Sequence, residues 1–147
     1  MTLQVSSRFT IAVHILTCID YFAGEHTITS SFLASSVGVN PVIIRQVILQ
    51  LKAAGLVEVF RGKKGITLSR SLENITLYDI YEAVESVKGH LFRFHENPNP
   101  KCPVGREIHS ALDGKLDEIQ EALEAKMRSI TMRDITLTSQ HSSCSCV

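Results

Sequence analysis

The stretch Gly38-Val39-Asn40-Pro41 constrains the fold of this 147-residue chain more than any other feature. Gly38 can adopt a left-handed backbone conformation at little cost, so it is suited to end a helix. Asn40 can cap the free amides of a new helix, and proline is favoured in a first helical turn. The spacing therefore predicts two helices joined by a tight turn, which is the arrangement of a helix-turn-helix unit.

Apolar residues at helical spacing lie on both sides of this turn. The first helix can be capped by Thr29 or Ser30, and it contains the small residue Ala34, which allows a second helix to approach closely. The second helix has an inner apolar face made of Ile44, Val47, Ile48 and Leu51. We therefore expect the second helix to pack by this face and to leave the opposite face exposed.

The outer face of the second helix carries groups suited to base edges in the major groove of DNA. It combines amide, guanidinium and apolar side chains: Asn40, Val42, Arg45, Gln46 and Gln50. We expect Arg45 and Gln46 to read bases. Ser30 and Pro41, at the starts of the two helices, complete this part of the predicted DNA-contacting set.

A basic hairpin is predicted after the second helix. Residues 56–60 alternate as a strand, residues 61–65 form a glycine-flanked turn, and residues 66–68 return. Residues 29–70 contain six Lys or Arg against one acid, a local balance of +5, although the whole chain is neutral. This segregation predicts one polyanion-facing surface, with phosphate contacts from the wing residues Arg61, Lys63 and Lys64.

A simpler interpretation is a packed helical pair with a solvated basic turn. Each of these features alone is common in proteins that do not bind nucleic acid. Here the small residue, the glycine turn, the Asn-Pro start and the basic hairpin occur together, in the order that a winged helix-turn-helix requires. We therefore favour DNA binding.

Length and composition fit one compact domain with an extended arm. The chain is 44% hydrophobic and 20% charged, which is enough for one good core. No run approaches the roughly 20 apolar residues of a membrane span, and no secretory leader pattern is present, so we expect a cytoplasmic protein without a membrane partner. In such a compartment the four cysteines are expected to be free thiols, metal ligands or redox sensors.

The predicted fold is mainly α with a small β-hairpin, in four parts. Residues 1–88 are the winged helix-turn-helix domain, and residues 89–105 are a proline-containing loop suited to a sensor or effector role. Residues 106–135 form a long helix with a short cap, and residues 136–147 form a flexible tail.

Four smaller predictions concern the first and fourth helices. A first amphipathic helix over residues 6–23 has one face made of Phe9, Ala12, Val13, Leu16, Ile19 and Ala23. Cys18 in this helix is expected to be an inert buried residue, although His14 one turn earlier leaves a two-ligand metal pair open. Thr76 is expected to cap the fourth helix, where Tyr78 and Tyr81 are expected in the core rather than as stacking platforms for bases.

The long helix carries a continuous apolar stripe. Its members are Ile108, Leu112, Leu116, Ile119, Leu123, Met127 and Ile130. A stripe of this length has no evident partner in so small a domain, so we expect it to pair with a second subunit. The alternative is that the stripe packs back on its own domain.

The tail and the loop leave a second functional interpretation open. Cys144 and Cys146 can join Cys102 between subunits or bind a soft metal, although an unstructured tail is the default expectation. The alternative function is therefore a cytosolic thiol- or metal-handling protein on the same fold without DNA binding. An enzyme finds no support, because the sequence has no recognisable Ser/His/Asp set, carboxylate pair or phosphate loop.

Taken in order, these motifs resemble the Rrf2 family of bacterial winged-helix repressors, the family of IscR and NsrR. The resemblance spans nearly the whole chain and rests on Leu33-Ala34, Gly38-Val39, Gln46, residues 54–57, Arg61-Gly62 with Gly65, residues 75–85 and residues 130–135. It implies a homodimer that binds a palindromic operator in double-stranded DNA and represses transcription. It also implies that the long helix is the dimer element.

The chain departs from the family pattern in the wing and in the loop. The family wing usually reads Arg-Gly-x-x-Gly-Gly-aromatic, whereas this one reads Arg61-Gly62-Lys63-Lys64-Gly65-Ile66 and is one residue shorter. Cluster-binding members have three cysteines before the long helix, but this loop has only Cys102. The resemblance is therefore to a cluster-free branch, and no cofactor, metal or iron-sulfur cluster is predicted.

In that branch the remaining cysteine is a candidate thiol sensor. Cys102 follows Lys101 and precedes the start of a helix. A neighbouring cation and a helix N-terminus both favour the thiolate, which is the species that reacts with oxidants. The sequence therefore makes Cys102 the redox-sensing candidate.

Overall fold

A computed structural model describes residues 6–85 and 91–135. Within these residues the helices are α1 (Ser7–Tyr21), α2 (Ser30–Val37), α3 (Pro41–Ala53), α4 (Leu77–Val84) and α5 (Pro103–Ser129). Strands β1 (Val57–Val59) and β2 (Ile66–Leu68) form an antiparallel hairpin in which Glu58 pairs with Thr67. The fold class is therefore as predicted: mainly α, with a winged helix-turn-helix and a long C-terminal helix.

Helices α1, α2, α3 and α4 and the hairpin share one apolar core. Its largest fully buried side chains include Ile15, Leu16, Leu33, Ile44, Leu51, Leu56, Ile75, Ile80 and Met132. No polar or charged residue of the described chain is buried in this core. The burial of Ile44, Val47, Ile48 and Leu51 confirms the predicted inner face of α3.

Helix α1 is shorter than predicted and buries a broader face. Ser6 caps it by accepting a hydrogen bond from the Arg8 amide at 3.2 Å, and Ala23 lies beyond its end, exposed. The buried residues are Ala12, Ile15, Leu16, Cys18 and Ile19, whereas Phe9 and Val13 are only half-buried. Five of the six predicted residues therefore face the core, and only Ala23 does not. The buried face is broader than predicted because α1 contacts α2, α3, α4 and β2, which surround more than one side of it.

Helix α4 anchors the end of α5 to the domain. Thr76 and Asp79 form a capping box at the start of α4, which confirms the predicted cap. The Leu77 amide donates to the Ile130 carbonyl at 2.9 Å, and the Met132 amide donates to the Ile75 carbonyl at 2.8 Å. The chain after α5 therefore returns to the core, where the Met132 side chain is buried.

Helix α5 begins earlier than the predicted boundary at residue 106. It starts at Pro103, with Cys102 as its N-cap, because proline lacks an amide hydrogen that the first turn would leave unsatisfied. The irregular segment described before it therefore ends at Cys102 rather than at residue 105. The predicted tail with Cys144 and Cys146, the first five residues and residues 86–90 lie outside the described residues.

The apolar stripe of α5 is divided between two environments. None of the residues of α5, all of which are described, is buried. Leu116, Leu123 and Met127 are half-buried, whereas Leu112 and Ile119 are 38% and 51% exposed. The stripe therefore packs back on its own domain along one flank and stays open along the other.

Candidate nucleic-acid interface

The turn between α2 and α3 has the geometry expected from its sequence. Gly38 adopts φ 78°, and its amide closes α2 by donating to the Ala34 carbonyl at 2.8 Å. The Asn40 side chain then caps α3 by accepting from the Val42 amide at 2.8 Å. The axes of α2 and α3 differ by 111°, so α3 crosses α2 and presents one face away from the core.

This outward face of α3 carries the predicted reading residues and one that was missed. Asn40, Val42, Arg45 and Gln46 are exposed, whereas Gln50 is half-buried. Leu49 is also on this surface and is 65% exposed. Its position four residues after Arg45 places it on this face, but no leucine was included in the predicted reading set. An exposed aliphatic group here is suited to contact a thymine methyl group.

Arg8 of α1 also reaches this face, although nothing in its local sequence indicates that it does. Its Nη2 donates to Gln46 Oε1 at 2.9 Å, and its Nη1 donates to Gln50 Oε1 at 3.3 Å. Arg8 is thirty-eight residues from Gln46 along the chain. Only the packing of α1 against α3 brings the three side chains together.

The wing is a short, basic loop on the hairpin. Gly62–Lys64 form one turn of 3-10 helix, and the Phe60 amide donates to the Gly65 carbonyl at 2.9 Å. The Lys64 ammonium lies 3.6 Å from the centroid of the Phe60 ring, a cation–π contact. This contact holds one cation on the wing at a defined position.

Two hydrogen bonds tie the wing to the loop that precedes α2. The Thr27 hydroxyl donates to the Lys63 carbonyl at 3.1 Å, and the Ile66 amide donates to the Ile28 carbonyl at 3.0 Å. Gly65 lies between them with φ 60°, and a Cβ at this position would be 2.5 Å from the Ile28 carbonyl oxygen. The close approach requires glycine and fixes the wing relative to the helix-turn-helix.

The remaining predicted contact residues lie at the edges of the same region. Ser30 and Pro41 are the first residues of α2 and α3, and both are half-buried. Arg61 and Lys63 are exposed at the wing. The fold therefore brings the helix-turn-helix and the wing together as expected, and their contacts with DNA remain predictions.

Ser36 of α2 lies between the His14 and Cys18 side chains of α1. The Ser36 hydroxyl is 3.0 Å from His14 Nε2 and 3.2 Å from Cys18 Sγ. Cys18 is buried, as predicted, and this burial raises the pKa of its thiol, although the Ser36 contact partly opposes the shift. The thiol is therefore packed as a small core residue with one polar neighbour.

The loop before α5 contains the second described cysteine. The Cys102 side chain is exposed and makes no capping hydrogen bond to the described chain. Its amide donates to the Asn99 carbonyl at 3.1 Å, and its carbonyl accepts from the Arg106 amide at 2.9 Å. The first turn of α5 is thus built on the Cys102 backbone, with the thiol left accessible.

The fold and this interface define a winged helix-turn-helix protein of the DNA-binding class. Residues 5–137 match the family described as "Rrf2: Iron-dependent Transcriptional regulator". The chain therefore belongs to the Rrf2 family of transcriptional regulators.

Similar proteins agree with this assignment. YwnA of Bacillus subtilis, named as an HTH-type transcriptional regulator, is 37% identical over 132 residues, which cover 90% of this chain and 96% of YwnA. A crystal structure of a protein described as DNA-binding is 34% identical, with a TM-score of 0.70, and the match covers 87% of this chain and 97% of that one. Two structures with lower identity share the fold.

These two structures are IscR of T. potens and CymR of B. subtilis. IscR is 24% identical with a TM-score of 0.65, and the match covers 89% of this chain and 84% of IscR. CymR, described as the global cysteine regulator of B. subtilis, is 21% identical with a TM-score of 0.67, and the match covers 90% of this chain and 95% of CymR.

The family description mentions iron, but the described residues do not contain a matching set of iron ligands. Across residues 6–85 and 91–135, no three His, Cys, Asp or Glu side chains are arranged to hold a metal ion. The loop before α5 supplies one thiol, Cys102, whereas cysteine-ligated clusters are typically held by four protein ligands. The described residues therefore do not fit such a cluster.

Within the same described residues, no single helix is long and apolar enough to cross a membrane. The bent pair of α2 and α3 meets the length and composition criteria only when the two helices are taken together.

Proposed function

We propose that this regulator is a homodimeric repressor whose two α3 helices read the half-sites of a palindromic operator. The exposed polar face of α3, beside a wing that carries Arg61, Lys63 and Lys64, supports this proposal most strongly. A recognition helix suits the major groove, and a basic wing suits the neighbouring phosphates. A twofold dimer then matches a pseudo-palindromic site, because each subunit meets the same sequence.

The open flank of α5 supports the dimer. Leu112 and Ile119 are exposed on α5, a 27-residue helix. Most of the other exposed residues of this helix are polar or charged. Large aliphatic groups repeated along one helix face favour burial against another subunit. The half-buried flank with Leu123 and Met127, together with the contact between α4 and α5, keeps the helix attached to its own domain at the same time.

Operator recognition is tested by titrating labelled duplex DNA from upstream of the gene against the full chain, with unrelated DNA as competitor. We expect selective binding that weakens with salt. Arg45→Ala should lower discrimination at one position of each half-site by about 1 to 3 kcal/mol, because its guanidinium is suited to guanine O6 and N7. Equal binding of operator and competitor across the salt range would contradict the proposal.

We further propose that oxidation of Cys102 modulates this binding. The thiol is exposed at the start of α5, so a modified sulfur would lie where α5 begins and next to the loop that precedes it. The test compares operator affinity before and after mild peroxide treatment in wild type and in Cys102→Ser. Loss of binding in wild type but not in Cys102→Ser supports the switch, and equal behaviour of the two proteins contradicts it.

We also propose that operator binding does not require an iron-sulfur cluster. The single thiol of the described loop supports this view, because it leaves a cluster without its usual set of ligands. Protein purified without oxygen should bind its operator equally before and after treatment with an iron chelator. Iron bound in stoichiometric amount, with operator affinity that falls on chelation, would contradict it.

A further inference from the structure

We propose that Arg8 sets operator specificity by holding the Gln46 and Gln50 carboxamides in one orientation, so that α3 offers amide donors to the bases. This inference rests on the proposed function, since it requires α3 to enter the major groove. Arg8 lies on α1, outside the helix-turn-helix. It is therefore a positioning residue that acts through the two glutamines.

The chemistry of the guanidinium determines which way each carboxamide faces. Arginine has five N–H donors and no acceptor, so only an amide oxygen can face it. Nη2 of Arg8 is 2.9 Å from Gln46 Oε1, and Nη1 is 3.3 Å from Gln50 Oε1. In a planar carboxamide the oxygen and the nitrogen are bonded to the same carbon at about 120° to each other, so fixing the oxygen also fixes the position of the nitrogen. Because Arg8 has no acceptor, neither Nε2 group can donate to it, and both stay available for acceptors elsewhere.

This orientation changes what Gln46 can recognise. An unrestrained carboxamide pairs with adenine, because it accepts from N6 and donates to N7. A guanidinium that binds the oxygen occupies one of its two lone pairs and fixes its direction, so adenine pairing then depends on the second lone pair facing N6. The free Nε2 donors instead match acceptors, which are guanine O6 and N7 or thymine O4. Arg8 therefore biases the facing position against adenine.

A second role for Arg8 makes a different prediction. If the Arg8 charge only attracted phosphate, its loss would weaken binding to every sequence equally and reduce the salt dependence. Lysine would then replace it well, because a point charge is sufficient. A lysine cannot place two N–H groups on two oxygens in the fixed planar geometry of the guanidinium. Arg8→Lys therefore separates positioning from charge.

The experiment selects preferred sites from a randomised duplex pool with the full chain. Wild type is compared with Arg8→Ala, Arg8→Lys, Gln46→Ala and the double variant Arg8→Ala/Gln46→Ala, each checked for cooperative unfolding. We expect wild type to prefer guanine or thymine at the position that Gln46→Ala relaxes. Arg8→Ala and Arg8→Lys should each raise relative affinity for adenine there by about tenfold. In the Gln46→Ala background, Arg8→Ala should add nothing at that same position.

Three results would overturn the inference. One is a uniform loss of affinity in Arg8→Ala that Arg8→Lys restores, which would make Arg8 a phosphate contact. Another is an equal effect of Arg8→Ala, with and without Gln46, at the base position that Gln46→Ala relaxes. A wild type that selects no sequence from the pool would overturn the proposed function and this inference with it, whereas the first two results leave the proposed function intact.

Discussion

At the residue scale, several positions follow from local chemistry that the sequence displays. Gly38 and Asn40 end and start helices as their conformational and capping preferences require. Gly65 is different, because its need for glycine comes from the Ile28 carbonyl, far away in the chain. Turn residues with local causes were therefore predictable, whereas the close approach at Gly65 was not.

Gly65→Ala should loosen the wing and destabilise the protein by about 1 to 3 kcal/mol. The added methyl group would lie 2.5 Å from the Ile28 carbonyl oxygen, at a positive φ that alanine rarely adopts. The free energy of unfolding from urea titration measures the effect. Gly114→Ala is the matched control, because open space surrounds that position within α5. The control should stabilise the helix by up to about 1 kcal/mol, and equal effects of the two changes would contradict the argument.

The two described cysteines should differ in reactivity towards alkylating agents. Cys18 is buried and its thiol pKa is raised by that burial, whereas Cys102 is exposed. We expect rapid labelling of Cys102 in the native protein and labelling of Cys18 only after unfolding, measured by peptide mass spectrometry. Labelling of both at one rate in the native state would show that the Cys18 site opens readily.

The raised pKa of Cys18 also has a consequence for alkaline stability. The folded protein holds this proton to a higher pH than the unfolded chain does. The contribution of the Cys18 thiol to the free energy of unfolding is therefore fully present below the thiol pKa of the unfolded chain. It is lost as the pH rises through the thiol pKa of the folded protein. Urea titrations at increasing pH should show a decline for wild type that is smaller for Cys18→Ala. Parallel curves would contradict the assignment.

At the scale of elements, the wing shows how a few contacts position a basic loop. The loop-to-wing hydrogen bonds from Thr27 and Ile66 fix its base, and Phe60 holds the Lys64 ammonium. Lys63 contributes its carbonyl to this frame, while its side chain stays exposed. The charge of the wing was evident in the sequence. Only the fold shows that the Lys64 ammonium lies over the Phe60 ring whereas the Lys63 side chain is exposed without such a contact being described.

Lys63→Ala should weaken binding to all DNA sequences alike and reduce the magnitude of the salt slope by about 1, as expected for one lost phosphate contact. The measurement is DNA affinity over a series of salt concentrations. Lys115→Ala is the control, because Lys115 is an exposed lysine of α5, outside the wing, and is paired with Glu118. A salt slope that is equal in both variants would show that the wing does not touch phosphate.

At the scale of the whole molecule, α5 is attached to its own domain and also presents an exposed apolar flank. Its end is tied to the domain through Ile130 and Met132, and its start is built on Cys102. Leu112 and Ile119 remain on the open flank. If that flank forms the dimer contact, α5 sets the spacing between the two α3 helices and therefore between operator half-sites.

Ile119→Glu should convert the dimer into monomers, because a buried carboxylate without a partner opposes association. Light scattering after size-exclusion chromatography measures the mass, and operator affinity should fall with it. Ala125→Glu is the control, since Ala125 is exposed and lies outside the apolar stripe. A wild-type chain that is monomeric, or an Ile119→Glu variant that stays dimeric, would contradict the proposed interface.

The sequence alone determined the order of elements, the helix-turn-helix, the wing and the apolar stripe. These features depend on residues that are neighbours in the chain, through caps such as Asn40, turns such as Gly38 and helical periodicity. Tertiary structure alone decided which surfaces meet: Arg8 with Gln46, the glycine contact at the wing base, and the division of the α5 stripe. Such contacts join residues far apart in sequence, and no local propensity encodes them, because they arise only when packed elements set the distances between side chains.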